Sequence, residues 1–331
     1  MASRIPRVTL ALIAALASLG ALAAVAMAAR IQGTDRSETL RGTQFRDGIN
    51  ARAGADRVFA LGGHDFVFAG LGDDVVFGGF GNDVVLGYHG ADIVYGGFGN
   101  DRALGGLGND RLYGNPGFDR LVGGPGNDVL RGFAQGDLIV GGPGDDDIEG
   151  DVPRVGDLRS RDRVYGGPGN DRVRGGDGLD RLHGGDGNDR IVGNAGNDVI
   201  SGGTGDDVSH GFLGNDLIFA NLGQDESFGG AGNDNLWALA RGDVASPGDT
   251  VADTLHGETG NDLFHVRDGE ADRVDCGLGR DVVLADQYDV IVDATSSDAN
   301  GSCEVVIRRA APESDRLESV TQSPAEDRLT S

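Results

Sequence analysis

The chain has 331 residues, 60 of them glycine, well over twice the share of about 7% in an average protein. With 53 acidic against 28 basic residues the net charge is −25, which repels nucleic acid and anionic membrane surfaces and attracts cations. These numbers speak against an ordinary globular enzyme and exclude polyanion binding over the whole surface.

The N-terminus reads as a signal peptide over residues 1–28. Arg4 and Arg7 precede an apolar run from Val8 to Ala26, and Ala26-Met27-Ala28 forms an A-x-A cleavage site. An uncleaved membrane anchor is the competing reading of the same run. No later segment is long and apolar enough to span a bilayer, so no membrane span is expected after cleavage. All 28 basic residues are arginine, which points to a GC-rich bacterial coding sequence. A secreted, extracellular or cell-surface protein is expected.

Residues 29–68 already carry a period of nine. Acidic residues fall at Glu38, Asp47, Asp56 and Asp65, but glycines are sparse in GTDRSE, GTQFRD and ARAGAD. This stretch is expected to be a calcium-poor N-terminal cap, as the end repeats of a solenoid require. Residues 69–265 are expected to form the main repeat body. Within it, 69–149 divides into nine nonapeptides without a gap and 166–237 into eight more. Examples are GGFGNDVVL at 78–86, GGLGNDRLY at 105–113, GGPGNDVLR at 123–131 and GGDGNDRIV at 184–192. The strict form GGxG[N/D]D occurs nine times in register. A collagen would need glycine at every third residue, and a flexible linker needs no aliphatic at a fixed position.

The nonapeptides resemble the RTX family, the hemolysin-type calcium-binding repeats G-G-x-G-x-D-x-U-x, over about residues 33–284, nearly all of the chain beyond the signal peptide. Position eight is aliphatic almost throughout, as at Val76, Val85, Leu112 and Ile148. That describes short strands pointing one side chain inward, separated by six-residue turns. The resemblance implies an all-β fold, a parallel β-roll solenoid with two nonapeptides per coil. It also implies multiple Ca2+ ions bound between turns of adjacent coils.

Elementary energetics favours the same reading. Two inward aliphatics per coil bury too little surface to offset the ordering of eighteen glycine-rich backbone units. Stacked coils also bring aspartates into columns of like charge, and a hard cation bound by carboxylates and carbonyls relieves both problems. The expected ligands in the strict loops are Asp83, Asp101, Asp110, Asp128, Asp146, Asp171, Asp189, Asp207 and Asp234. The looser loops offer Asp74, Asp92, Asp119, Asp180, Asp198, Asp216, Asp225 and Asp262. Alternate repeats face opposite edges. The strict loops from Asp110 to Asp207 fall on one edge if the long segment counts as a single half-coil, which implies one continuous and one interrupted ladder of ions.

Insertions near 150–165 and 238–256 are expected to loop out without breaking the roll, a domain boundary at either being the alternative. Ser209 and Ser227 occupy inward positions and should stack. Arginine recurs at position seven, at Arg102, Arg111 and Arg120 and again at Arg163, Arg172, Arg181 and Arg190. Turn aspartates are the expected counter-charges, and a stripe for an anionic polysaccharide is the sharper alternative. Phe80 and Phe98, eighteen apart, are expected to form a small apolar column.

Residues 266–309 relax into irregular strands and read as a C-terminal cap. Exported cysteines are expected to pair, so a Cys276–Cys303 disulfide is the default, with two free thiols the alternative. The polar tail 310–331 is expected to be disordered. No GxSxG, HExxH or P-loop motif occurs, and six histidines sit singly within repeats, so no enzyme is expected. Two function classes remain. One is a secreted calcium-binding repeat protein that folds into a rigid β-roll outside the cytoplasm. The other is a calcium-dependent adhesin or matrix component that binds extracellular polysaccharide or cell surfaces.

Overall fold

The computed structural model describes residues 28–151, 160–238, 251–292 and 303–309. The expected signal peptide up to Met27, the tail from 310 onward and parts of both insertions lie outside them. Among the described residues there are thirty short strands and no helix. The strands form two fifteen-stranded sheets with parallel pairing. Successive strands alternate between the sheets: Val75–Phe80 and Ile93–Phe98 lie in one, Val84–His89 and Arg102–Leu107 in the other. Val76 pairs with Val94 and Val85 with Ala103, so the chain advances by one coil every eighteen residues. This is the all-β parallel β-roll solenoid that the nonapeptides imply.

Nonapeptide spacing suggests three-residue strands, but many run to six, as Val75–Phe80 does. The reason lies in the corner. Its backbone keeps pairing with the neighbouring coil, Gly79 with Gly97 and Phe80 with Phe98. Beyond them the Gly81 N–H donates to the Phe98 carbonyl at 2.8 Å, so the turn leaves few backbone groups unpaired. Such a corner needs positive φ, 108° at Gly79 and 125° at Gly81, and a Cβ on Gly81 would collide with the Gly63 carbonyl oxygen. Looser loops put other residues at the second turn position, where Tyr88 (φ 91°) and Phe212 (φ 76°) carry backbone strain.

Each strand points its middle side chain inward. Val76, Val94 and Leu112 from one sheet and Val85, Leu121 and Ile139 from the other belong to one buried file of aliphatics. Ser209 and Ser227 sit in this file in register, and the Ser227 Oγ is buried without a hydrogen-bond partner.

Both insertions leave the register intact. Across the first, Ile139 pairs with Val164 and Ile148 with Val173; across the second, Ser227 pairs with Leu255 and Leu236 with Phe264. At the C-terminal end Val274 pairs with Ile291 and Val283 with Val306. There Cys276 and Cys303 form a disulfide buried in the core, with Cα atoms 5.3 Å apart.

The outer faces carry rows. Phe59, Phe77, Tyr95 and Tyr113 stack in sequence with centroids 4.9–5.0 Å apart, and Phe80 stacks on Phe98 at 5.2 Å with both rings exposed. Arg102 abuts Arg120, Arg163 abuts Arg181, and Arg172 abuts Arg190. Among the described residues no ion pair joins these arginines to turn aspartates. Arginine ion pairs among the described residues join Arg131 to Asp147 and Glu149, Arg174 to Asp147 and, at 3.9 Å, Arg52 to Asp35. The sixth-position aspartates turn inward, away from the exposed strand starts where the arginines sit.

Candidate metal centre

The sixth residue of each turn ends the corner just before a strand begins, and its side chain folds back beneath the corner. This builds two columns of carboxylates along the two edges of the roll. One runs from Asp56 through Asp74, Asp92, Asp110, Asp128, Asp146, Asp171, Asp189, Asp207, Asp225, Asp253 and Asp272 to Asp289. The other runs from Asp47 through Asp65, Asp83, Asp101, Asp119, Asp137, Asp162, Asp180, Asp198, Asp216 and Asp234 to Asp262 and Asp281. All 17 sequence-predicted aspartates stand in these columns. None of the 17 is more than 3% exposed.

Within a column, one carboxylate oxygen ties neighbouring coils together. Asp83 donates its backbone N–H to Asp101 Oδ1 at 2.7 Å, Asp110 to Asp128 Oδ1 at 2.7 Å, and across the first insertion Asp146 to Asp171 Oδ1 at 2.7 Å. The other oxygen has no such use. Oδ2 of Asp74, Asp92, Asp110, Asp128, Asp146 and the other predicted aspartates, Asp225 apart, is buried without a hydrogen-bond partner. Buried polar atoms in native proteins are rarely left so.

The surroundings of that oxygen fit a hard cation. At Gly141 the place a Cβ would fill is bounded by Asp146 Oδ2 and, at 2.6 Å, by the Gly166 carbonyl oxygen of the next coil; at Gly78 it is bounded by Asp83 Oδ2 at 2.7 Å and the Gly96 carbonyl oxygen. No side chain occupies these places because both residues are glycine. The converging donors are carboxylate and carbonyl oxygens, the set that calcium takes and that zinc or copper would not select.

Electrostatics points the same way. Burial pushes the carboxyls of Asp92 and Asp101 up to about 7, and those of Asp146, Asp189 and Asp198 up to about 8. The backbone hydrogen bond to Oδ1 works against this, and the like charges of column neighbours add to it. At neutral pH the columns cannot all ionise at low cost unless positive charge enters them.

The chain belongs to the RTX calcium-binding nonapeptide repeat family. The family model matches residues 32–152, 159–236 and 247–283 in overlapping blocks, well over half of the chain. No curated protein matches the chain. Among solved structures it is similar to a hyperactive, Ca2+-dependent, beta-helical antifreeze protein from an Antarctic bacterium. The identity is 18%, the match covers 83% of this chain and 81% of that one, and the TM-score is 0.26.

Sequence reasoning left several members out of the ligand set. Asp137 keeps the spacing but sits in a turn that lacks the glycine pattern, while Asp162, Asp253, Asp272, Asp281 and Asp289 follow slips in the period. The carboxylates are therefore continuous on both edges, including the edge whose ion ladder the sequence suggests is interrupted. The edges differ in partners instead: Ser160 Oγ reaches Asp162 Oδ2 at 3.4 Å. Near the N-terminus Asp47 Oδ2 accepts from the Thr43 N–H and hydroxyl at 2.5 and 3.0 Å, and Glu38 Oε1 accepts from the Thr34 N–H. A second, exposed row was also missed: fifth-position asparagines accept from the next coil, as Asn100 N–H donates to Asn82 Oδ1 at 3.0 Å.

Proposed function

We propose that this protein is exported and folds into a rigid calcium-loaded rod outside the cytoplasm, and that its ion-dependent rigidity is its activity. The observation that carries this reading is the row of buried Oδ2 atoms without partners. The 17 predicted aspartates would hold the ions, with turn carbonyls completing each site, and the bound charge would offset repulsion within the columns. The N-terminal turns would bind little calcium, because Thr34 and Thr43 already bond to Glu38 and Asp47. Asp162, bonded to Ser160, would weaken one ladder locally. Export is supported by the basic, apolar and A-x-A order of residues 1–28, and among the described residues no helix is long and apolar enough to cross a membrane. RTX repeats are typical of structural calcium-binding proteins rather than enzymes.

The test is circular dichroism of the full chain, stripped of metal and then titrated with CaCl2. Gain of β-structure and of trypsin resistance is expected at roughly 10⁻⁴ to 10⁻³ M, the range of extracellular calcium modules. A signal unchanged by chelator would reject the proposal.

A second reading, an adhesin or matrix component for polysaccharide or cell surfaces, is favoured by one feature. Phe59, Leu61, Phe77, Phe80, Phe98 and Pro116 line an open groove of about 400 Å³ over the Gly79 and Gly97 backbone. Calcium-dependent binding on a glycan array, lost in Phe80→Ala with Phe98→Ala, would separate it from the purely structural reading, which expects none.

A further inference from the structure

The turn Arg267–Asp272 departs from the repeats. It reads RDGEAD, so Asp268 and Glu270 stand at the second and fourth positions, where a strict loop carries glycine. One oxygen each from Asp268, Glu270 and Asp272 lie within 4.8 Å of one another. Such a cluster alone could be a solvated surface, but two further atoms argue otherwise. Asp272 is fully buried, gives Oδ1 to the Asp253 N–H at 2.9 Å and leaves Oδ2 without a partner. Asp286, on the following turn, is 1% exposed; it accepts the Tyr288 N–H at 2.8 Å through Oδ1, and its Oδ2 is likewise buried and unpartnered. Its charge acts on Asp268.

The arginines beside the cluster do not neutralise these oxygens. Arg267 donates to the carbonyls of Ala285 and Ile307, and Arg308 to those of Asp286 and Asp289. Three carboxylates thus face one another, and no described guanidinium sits on the buried Oδ2 atoms of Asp272 and Asp286.

We propose that Asp268, Glu270, Asp272 and Asp286 form a separate divalent-cation site in the C-terminal coil, built from side-chain carboxylates rather than from turn carbonyls. The donor set is all oxygen and anionic, which suits calcium and offers zinc neither imidazole nor thiolate. Affinity in oxygen sites rises with ligand charge and rigidity. Here both are high: three carboxylates converge on one place, with buried Asp286 on the following turn, and the buried Cys276–Cys303 bridge follows in the chain. This site fills before the aspartate columns and pins the end of the solenoid. The inference does not rest on the columns binding ions.

The test is calorimetric titration of the metal-stripped full chain with CaCl2, comparing wild type, Asp268→Asn with Glu270→Gln, and Asp110→Asn. Wild type shows one tight ion ahead of a weaker class. The cluster double variant loses that step or weakens it at least tenfold and keeps the weaker class; Asp110→Asn keeps the tight step and lowers the ion count of the weaker class. A tight step that survives in the double variant, or a wild type without a tight step of about one equivalent, overturns the proposal. A wild type with the tight step and no weaker class would instead count against the columns. Should the double variant fail to fold, the half-exposed Glu270→Gln alone and a second measurement decide. At one equivalent of Tb3+, tyrosine-sensitised emission falls severalfold in Tyr288→Phe if the ion sits beside Asp286, and unchanged emission overturns the proposal.

Discussion

A column aspartate has two oxygens with opposite needs, and an isosteric change separates them. Asp110→Asn keeps an acceptor for the neighbouring N–H and replaces the orphaned oxygen with a neutral donor facing a carbonyl-lined space. In EDTA at pH 7 it removes an ionised group whose carboxyl burial pushes up to about 6, so the variant is more stable than wild type, by on the order of 2 kcal/mol. In calcium the sign reverses. Each independent site lost forfeits about 1.4 kcal/mol at ten times its Kd. Urea melts in calcium, and the pH at which β-structure is lost in EDTA, read both signs: the variant melts lower in calcium and holds its structure to higher pH in EDTA, and a variant destabilised in both conditions would refute the assignment. At this scale the sequence made the aspartates legible through their period. Which oxygen is satisfied was not legible, because it depends on the side chain bonding to a coil eighteen residues away. The self-satisfied Asp47 and Glu38 escaped for the same reason: threonine in place of glycine reads as a lost repeat, whereas it supplies a donor.

The alternation of strand and corner was legible from position eight and the glycine pairs. Strand length was not, since pairing around the corner is a property of two coils together. Corner glycines mark where this happens, and the strained residues at Tyr88 and Phe212 show that the backbone holds its path without them. The two inward serines are an element-scale weakness that the period also predicts. Ser227 leaves a buried hydroxyl unpaired between Ser209 and Leu255. Replacing both by valine removes that cost and fills the file, so the double variant melts higher in calcium, by about 1–3 kcal/mol in stability. No gain, or a loss, would mean that the serines hold an ordered water.

Across the whole molecule, pH and calcium act on the same charges. Column carboxyls are raised in the folded state, from about 6 at Asp110 and Asp128 to about 8 at Asp146 and Asp189, above the ordinary value of 3.8. A raised acid favours the fold below its unfolded value, and that support is lost as pH rises through the folded value. In EDTA, β-structure measured by circular dichroism is therefore expected near pH 4 and lost between about pH 6 and pH 8. Calcium restores it at pH 7 with release of protons, and an EDTA-treated chain equally folded at pH 4 and pH 8 would contradict the columns' role. The continuous carboxylates were only half legible at this scale, because the spacing slips at both insertions and beyond Asp253 while the coils themselves stay in phase.

That phase makes length a free parameter. Excising the eighteen residues from Gly166 to His183 would bring Tyr165 against Gly184, leaving each strand in its own sheet and each acid on its own edge. Excising nine would exchange the sheets and edges for everything downstream. A gene encoding such a rod can lengthen or shorten it by whole coils, much as a ruler is cut at its marks, without redesigning any other part.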